Sequence, residues 1–180
     1  MEAQISKLSE LEFGYLIGLF IGDGYSNYNK KDRHRYVEWY LNSKRDTKII
    51  QYLCSLLEKM NLNPLLRKDK RYDVMRIRVN SKNLTILLLN KKEVIRKMKD
   101  ANEPTAIGLL SGFIDSEGYV GKGEIVVAQA NLDTIEFFAE IAKRFGVYKK
   151  LWRYQNERCD VWRLRISPAF KYSAHNSCKL

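Results

Sequence analysis

YLIGLFIGDG (residues 15–24) is the segment that decides the fold, because LLSGFIDSEG (residues 109–118) repeats its pattern 94 residues later (118 − 24). Both segments are apolar, carry small residues four positions apart, and end in an acidic residue followed by glycine. The repeat predicts two related halves, residues 1–100 and 101–180, that together form one compact domain. The matching positions are Gly14 and Gly108, Gly18 and Gly112, Gly22 and Ser116, Asp23 and Glu117, and Gly24 and Gly118.

Each segment predicts a helix with one bare face. Residues four apart share a helix face, so Gly14, Gly18 and Gly22 form a groove in which a second helix can pack backbone to backbone. A helical glycine costs about 1 kcal/mol relative to alanine, which favours a packing role for the stripe. A membrane dimerisation face is disfavoured, since the apolar run spans only residues 11–22 and a membrane span needs roughly 18 residues.

The acidic residues Asp23 and Glu117 end these helices unfavourably. A carboxylate at a helix C-terminus faces the negative end of the helix dipole, at a cost of roughly 0.3–1 kcal/mol. If the helices pair in parallel, the two acids also meet, and a cation between them removes the conflict. Mg²⁺ suits such a place because it takes one or two carboxylates and keeps several waters. The alternative is a buried helix that ends in an ordinary Asp-Gly turn.

Composition predicts a polyanionic partner. The 180 residues contain 32 Lys and Arg against 21 Asp and Glu, a net charge of +11, which is typical of nucleic-acid binding. Three cysteines without CxxC spacing and two histidines disfavour a disulfide framework, a zinc site and histidine-metal nucleases. Without a signal-peptide or membrane-span pattern, we expect an intracellular protein that is not secreted, in the cytoplasm or nucleoid of a prokaryote or in an organelle matrix.

Periodicity predicts an α+β fold in which each half alternates helices with pairs of strands. Residues 36–42 alternate, with Val37, Trp39 and Leu41 on a buried face and Glu38 and Tyr40 on a polar one. RYDVMRIRV (71–79) returns as RCDVWRLRI (158–166), 87 residues later, as does Asp-Thr at 46–47 and 133–134. We expect an exposed hairpin or loop at 25–35, helices from 10, 46, 82, 91, 103 and 133, and further strands within 65–79 and at 124–129, 149–154 and 161–166.

Basic and aromatic side chains on the outer strand faces predict DNA contacts, because a β-ribbon fits the major groove. The alternative is a solvated face with cross-strand ion pairs. The first candidates are Arg76, Arg78, Arg163 and Arg165; the further ones are Tyr25, Tyr28, Arg33, Arg35, Tyr40, Arg67, Lys150 and Trp152.

LIGLFIGDG (16–24) and LSGFIDSEG (110–118) resemble the two motifs of a single-chain LAGLIDADG homing endonuclease. The resemblance implies a pseudo-twofold fold in which two antiparallel sheets form a DNA-binding saddle around the paired motif helices. It implies an intron-encoded monomer, without an obligate protein partner, that cuts both strands of a long asymmetric DNA site and leaves short 3′ overhangs. Mg²⁺ is the expected cofactor, with Mn²⁺ substituting and Ca²⁺ binding without efficient cleavage, and the implied metal ligands are Asp23, Glu117 and the carbonyls of Gly22 and Ser116.

The resemblance also implies polar residues around the attacking water. These are Asn42 and Gln129, which coincide at the spacing of 87, with Lys122 and Lys92. The alternatives are strand-end hydrogen bonds or base contacts for the amides and a solvated surface for the lysines. Two rival functions on the same scaffold are an intron maturase that binds RNA and a cleavage-inactive DNA-binding regulator. Retention of both acids favours the nuclease, because a pure binder gains nothing from two carboxylates beside a phosphate backbone.

Overall fold

The two motif segments form helices that begin where the sequence predicts. A computed structural model describes residues 6–29, 31, 34–69, 71–121, 123–157 and 159–170. Helix α1 (Glu10–Asp23) starts with a capping box in which the Ser9 hydroxyl accepts from the Glu12 N–H at 3.2 Å and the Glu12 carboxylate accepts from the Ser9 N–H at 3.0 Å. The later motif helix (Glu103–Glu117, α5 below) starts after Asn102, whose side chain accepts from the Thr105 N–H at 3.1 Å.

The remaining elements alternate helices with pairs of strands, which confirms the α+β fold. In chain order, after α1, they are β1 (Gly24–Tyr28), β2 (Arg35–Asn42), α2 (Thr47–Lys59), β3 (Leu65–Asp69), β4 (Val74–Val79), α3 (Lys82–Leu87), α4 (Lys91–Met98), α5 (Glu103–Glu117), β5 (Gly118–Gly121), β6 (Glu124–Gln129), α6 (Leu132–Arg144), β7 (Tyr148–Asn156) and β8 (Cys159–Ile166).

The strands form two four-stranded antiparallel sheets with the same order, β1-β2-β4-β3 and β5-β6-β8-β7. Strands β1 and β2 form an antiparallel hairpin, one of the two alternatives predicted for 25–35, whereas no strand was predicted at the position of β5. Gly24 and Gly118 leave the motif helices in extended conformation, with ψ near 150° (152° and 150°). Each acid is therefore followed directly by the first strand of its half.

Strand register corrects the spacing between the halves. Val37 pairs with Val79 and Ile125 with Ile166, so β2 and β6 correspond at 88 residues (125 − 37), whereas β4 and β8 correspond at the predicted 87 (166 − 79). The predicted equivalence of Asn42 and Gln129 is wrong by one residue.

By register, Gln129 takes the place of Leu41. Helices α2 and α6 begin 85 residues apart (132 − 47), so the first half has three extra residues (88 − 85) between this strand and the following helix. The predicted match of Asp46 with Asp133 is also wrong, because the N-cap residues are Asp46 and Asn131. The loop-length difference shifts the correspondence of the following helices, and β4 and β8 return to the spacing of 87.

The core lies between the motif helices and the inner sheet faces. Val37, Trp39 and Leu41 are buried as predicted, and the Phe113 ring stacks on Phe138 with ring centroids 3.7 Å apart. None of the helices that the structure describes has the length and apolar character of a membrane span.

The glycine stripes meet backbone to backbone, as predicted. A Cβ atom added to Gly18 would lie 2.1 Å from the Leu109 carbonyl oxygen, and one added to Gly112 would lie 2.2 Å from that of Tyr15. Ordinary contact begins near 3.4 Å, so no side chain fits at either position. The two motif helices therefore form the centre of the fold.

Candidate functional site

The motif helices run parallel, which brings their acidic ends together. Gly14 faces Thr105 and Gly18 faces Leu109, while a Cβ on Gly22 would lie 2.0 Å from Ser116 Oγ and 3.1 Å from Glu117 Cγ. Both helices run in the same direction along this contact. Asp23 and Glu117, the last residues of their helices, therefore lie at the same end. Neither helix has a basic residue in its last turn.

Lys91, at the start of α4, supplies the positive charge at this end. Its Nζ donates to the Gly22 carbonyl oxygen at 2.9 Å and lies 5.7 Å from the centre of the Phe20 ring. Burial lowers the pKa of Lys91, while the charges of Glu117 and Asp23 act in the opposite direction. The Lys91 ammonium group therefore donates a hydrogen bond to one of the two carbonyl oxygens that the resemblance assigned to a metal ion.

Sequence reasoning chose Lys92 and missed Lys91. The Lys92 side chain is 77% exposed, and its Nζ lies 3.9 Å from Asp133. Asn90 caps α4, with its side chain accepting from the N–H groups of Lys92 and Glu93. That cap sets which of the two adjacent lysines turns toward the motif helices. A signal for Lys91 was present in the sequence, because Val94, Ile95 and Met98 follow it at three, four and seven positions, the spacing of one apolar helix face.

The two amides have different surroundings. Gln129 Nε2 donates to Glu117 Oε1 at 3.3 Å, while its own oxygen accepts from the Ala130 N–H at 2.8 Å. The structure thus brings Gln129 to the acidic site. The Asn42 oxygen accepts instead from the N–H groups of Lys44 and Arg45, at 3.0 and 2.9 Å, the strand-end role that was its alternative.

Two further predicted site groups, the backbone carbonyl of Ser116 and the side chain of Lys122, remain predictions. The Ser116 hydroxyl donates to the Phe113 carbonyl at 3.0 Å, a bond within its own helix. Lys122 lies outside the described residues. Gln129, Lys91 and Lys92 also line an open cleft beside the motif helix end, together with Ile21, Asn90, Asn131 and Thr134.

The donor set fits a hard divalent cation. It offers two carboxylates, from Asp23 and Glu117, and the backbone carbonyl of Gly22, which already accepts from a cation, the Lys91 ammonium. Among the described residues no group of three or more His, Cys, Asp or Glu side chains could hold a metal, and Mg²⁺ needs only one or two carboxylates because it retains waters. Asp23 and Glu117 are the residues that would hold it.

The outer face of the first sheet presents basic and aromatic side chains that alternate with the buried residues of the inner face. Arg76 lies between Tyr40 and Arg67 in the strand register. Arginines directly opposite each other are destabilising, so their pairing indicates a role other than stability. We call this the first-sheet face; its members are Tyr25, Tyr36, Glu38, Tyr40, Arg67, Arg76 and Arg78.

Glu38 is the exception on this face, because it is outward in register yet only 2% of its side chain is exposed. Arg78 Nε lies 2.5 Å and Arg76 Nε 3.6 Å from its Oε1, and the Tyr40 hydroxyl donates to Oε2 at 2.6 Å. Burial and this hydrogen bond raise the pKa of Tyr40 to about 12. The predicted polar face thus contains a buried acid under basic side chains.

On the outer face of the second sheet, the arginines lie over aromatic rings. Arg163 lies 3.7 Å from the centre of the Tyr154 ring, and Arg165 lies 5.6 Å from that of Trp152 while its Nε contacts Glu124 at 3.1 Å. We call this the second-sheet face; its members are Tyr119, Val126, Ala128, Lys150, Trp152, Tyr154, Arg163 and Arg165.

Two of the predicted DNA-contact residues lie on the other side of the first sheet. Tyr28 pairs with Arg35 in the strand register, and Arg35 alternates in phase with the buried Val37, so both belong to the inner face. The Arg35 guanidinium lies 5.4 Å from the Tyr28 ring centre, at the end of the strand pair beyond the core. Arg33 is outside the described residues.

Known proteins share this sequence pattern and fold. A family model described as a LAGLIDADG-like domain matches residues 10–99 and 104–170. The uncharacterized protein MJ0398 of Methanocaldococcus jannaschii is 29% identical over 143 residues, 78% of this chain and 51% of that protein. The chain therefore spans about half the length of this curated relative.

Solved structures share the fold. A structure of mesophilic variants of the homing endonuclease I-DmoI has a TM-score of 0.69 at 21% identity, covering 92% of this chain and 91% of that one. I-DmoI in complex with DNA and Ca gives 0.68 at 21% identity, with 89% and 84% covered. Full-length DUF199/WhiA from Thermatoga maritima gives 0.64 at 12% identity, with 92% and 55% covered.

Proposed function

The chain belongs to the LAGLIDADG-like domain family, and from this membership we propose that it is a homing endonuclease. It hydrolyses both strands of a long, asymmetric double-stranded DNA site with a divalent metal ion and leaves short 3′ overhangs. The observation that carries this proposal is the pair of carboxylates, Asp23 and Glu117, at the joined ends of two parallel helices. Each carboxylate directly precedes a sheet with a basic and aromatic outer face. The solved complex of I-DmoI with DNA and Ca supports it.

The glycine contacts fix the two carboxylates relative to each other. Because Gly18 and Gly112 contact opposing backbone, the helices cannot slide without a clash, and Asp23 and Glu117 stay at one point. A divalent ion held there would activate the attacking water and polarise the phosphate, with Mg²⁺ preferred, Mn²⁺ substituting and Ca²⁺ binding without efficient cleavage. The Gln129 amide holds the Glu117 carboxylate in place.

Lys91 supplies a second positive charge at the reacting phosphate. Its ammonium is largely buried beside Phe20 and is attracted by both carboxylates. A preorganised cation at the point where negative charge develops stabilises the transition state without rearrangement. When the scissile phosphate enters, the ammonium has a stronger acceptor than the Gly22 carbonyl and can transfer its hydrogen bond to a phosphate oxygen.

We further propose that residues 1–100 and 101–180 form one compact domain that acts as a monomer on an asymmetric site. The contact between α1 and α5 joins the halves, and the two sheet faces differ in residue type at equivalent positions, with Glu38 opposite Arg78 but Val126 opposite Arg165. Two different faces read two different half-sites, so the site has no need of palindromic symmetry.

The test is digestion of DNA that carries candidate insertion sites, with Mg²⁺ or with EDTA. The proteins are the wild type, Asp23→Asn, Glu117→Gln and, as a matched control, Glu136→Gln, which neutralises an exposed acid on α6. We expect the wild type and the control to cut with Mg²⁺ only, and the two site variants to bind DNA as tightly but to cut at least about 10³-fold more slowly. Cutting at the wild-type rate by either site variant would refute the metal assignment. Wild-type protein that binds the site but does not cut it with any divalent metal ion would support the DNA-binding regulator.

A further inference from the structure

Glu38 is the unusual residue of the first-sheet face. An acid on a surface that meets DNA repels phosphate, and a buried carboxylate persists only when it is paired and hydrogen-bonded. Glu38 satisfies that condition through Arg78, Arg76 and Tyr40, which cover it and leave 2% of its side chain exposed. Its charge is therefore directed at its neighbours and hidden from the duplex.

The two arginines meet Glu38 through the same atom. Arg78 Nε contacts Glu38 Oε1 at 2.5 Å and Arg76 Nε lies 3.6 Å from that oxygen. Because Nε makes the hydrogen bond to Glu38, the two terminal nitrogens of the Arg78 guanidinium group are left to donate to another molecule. The Tyr36 ring, 3.9 Å from the centre of the Arg78 guanidinium, holds that group on its other side. An arginine fork that is fixed in this way matches the O6 and N7 acceptors of guanine.

Tyr40 offers a hydrogen-bond acceptor, whereas the two arginines offer donors. Its hydroxyl hydrogen is donated to Glu38 Oε2 at 2.6 Å, so only the oxygen lone pairs are left for another molecule. Tyr40 is also the cross-strand neighbour of Arg76. In the major groove, an acceptor selects the exocyclic amino group of cytosine or adenine. One buried carboxylate thus sets a pattern of neighbouring donors and acceptor.

Among the described residues of the second sheet, this arrangement is absent. Val126 stands at the equivalent register position, opposite Arg165 and Tyr119 as Glu38 stands opposite Arg78 and Tyr25. Arg163 and Arg165 are placed by the rings of Tyr154 and Trp152 and by Glu124 at the strand end. Ring stacking orients the Arg163 guanidinium plane without assigning its individual donors. Glu124 contacts Arg165 Nε, but its side chain is 40% exposed whereas that of Glu38 is 2% exposed, so the two faces differ in how firmly their hydrogen bonds are fixed.

We propose that Glu38 is a positioning residue that fixes the hydrogen-bond polarity of the first-sheet face, so that Arg76 and Arg78 select guanine and Tyr40 selects the amino group of a neighbouring cytosine or adenine. The proposal rests on the proposed DNA-binding function and assigns the stricter base selection to the half-site under the first sheet.

The test is selection of bound duplexes from a randomised DNA pool, followed by sequencing. Glu38→Gln keeps the shape of the side chain and removes its charge, Tyr40→Phe keeps Glu38 and both arginines, and Arg163→Ala marks the half of the motif that belongs to the second sheet. Glu124→Gln is the matched control, because it neutralises an acid that pairs with an arginine on the other face. Affinity for a non-specific duplex is measured in parallel.

With Glu38→Gln we expect the preference for guanine and for the adjacent amino-bearing base to fall by about 5- to 100-fold. The other half of the motif is retained, and non-specific affinity is equal or higher. Tyr40→Phe loses only the preference for the amino-bearing base, and Glu124→Gln changes nothing in this half.

Two results would overturn the proposal. In the first, Glu38→Gln and Tyr40→Phe both enrich the same sequence motif as the wild type, with unchanged base preferences. That result would leave the proposed DNA binding intact. If Glu38→Gln does not fold, Tyr40→Phe decides, and an unchanged preference at every base pair counts against the idea. The other is a wild-type protein that enriches no sequence at all, in which case the DNA-binding function fails as well.

Discussion

Replacing Gly18 with alanine tests whether the motif helices really touch through their backbones. In an isolated helix the change is favourable by about 1 kcal/mol. In this fold the new Cβ would lie 2.1 Å from the Leu109 carbonyl oxygen and 2.9 Å from the carbonyl carbon. Ordinary contact begins near 3.4 Å, so the helices must separate locally by about 1.3 Å (3.4 − 2.1).

The size of the effect follows from what is in the way. Inserting a methyl group into a packed core costs about 1–3 kcal/mol when side chains can rearrange. Here the obstacle is helical backbone, which cannot rotate aside, so the upper end applies. Subtracting the gain of about 1 kcal/mol in helix propensity leaves a net loss of about 2 kcal/mol. For a chain of this length that corresponds to a melting temperature lower by about 4–8 °C.

The assay is thermal and denaturant unfolding of the wild type and four variants. Gly112→Ala should lose as much stability as Gly18→Ala, since its Cβ would lie 2.2 Å from the Tyr15 carbonyl oxygen. The double variant should lose less than the sum, because one separation of the helices accommodates both methyl groups. Gly146→Ala is the control: it has φ of +66° and nothing within 4 Å of an added Cβ, so it tests backbone conformation without a clash, at about 1 kcal/mol.

Cleavage gives a second measure of the same perturbation. A shift of about 1 Å between the helices moves Asp23 relative to Glu117, and misplacement on that scale costs about 10²-fold in rate. Gly146→Ala should cut at the wild-type rate. A Gly18→Ala protein that is as stable as the wild type, or more so, would refute the packing, because helix propensity would then be the only effect of the substitution.

Three further predictions concern the site and the assembly. Lys91→Met should slow cleavage by about 10²-fold with little change in DNA affinity. The cleavage rate of Lys92→Met, which changes an exposed side chain, should stay within about threefold of the wild-type rate. Equal losses of rate by the two variants in a nicking assay would contradict the role assigned to Lys91. Gln129→Leu should slow nicking of one strand by about 10-fold or more, because it removes the amide that holds Glu117, and equal slowing of both strands in a strand-specific assay would contradict this. In sedimentation at working concentration the protein should be a monomer, and a stable dimer would contradict the single-chain reading of the repeat.

The motif helices were predictable because their sequence pattern has one physical solution. Three small residues on one stripe are costly in a helix unless another backbone fills the groove, and the repeat showed that the chain supplies its own partner. The capping residues Ser9 and Asn102 then set where each helix starts. The strands β4 and β8 were predictable because apolar and basic residues alternate along both of them.

The predictions that failed depended on contacts between distant residues. Strand β1 has a polar sequence, GYSNY, without the alternation that marks a half-buried strand, so the sequence left a hairpin and a loop as alternatives there, and its pairing with β2 decides for the hairpin. Asn42 was matched with Gln129 by a spacing that holds only for β4 and β8. Lys91 and Lys92 differ by one position on a short basic helix, and the hydrogen bond from Lys91 to the Gly22 carbonyl separates their roles.

The motif helices contact each other through their backbones, whereas the strand ends do not. This difference explains why the acidic site has two matching carboxylates but different residues around each of them. At Gly18 and Gly112 any side chain strikes the backbone of the opposite half, so each half restricts the other and the repeat stays visible. At the strand ends no such reciprocal restriction acts, and Leu41 stands where Gln129 stands in the second half. Glu117 accepts from an amide, while the carbonyl before Asp23 accepts from Lys91. Two equivalent helices therefore present two chemically different carboxylates, and the two DNA strands are expected to be cut at different rates.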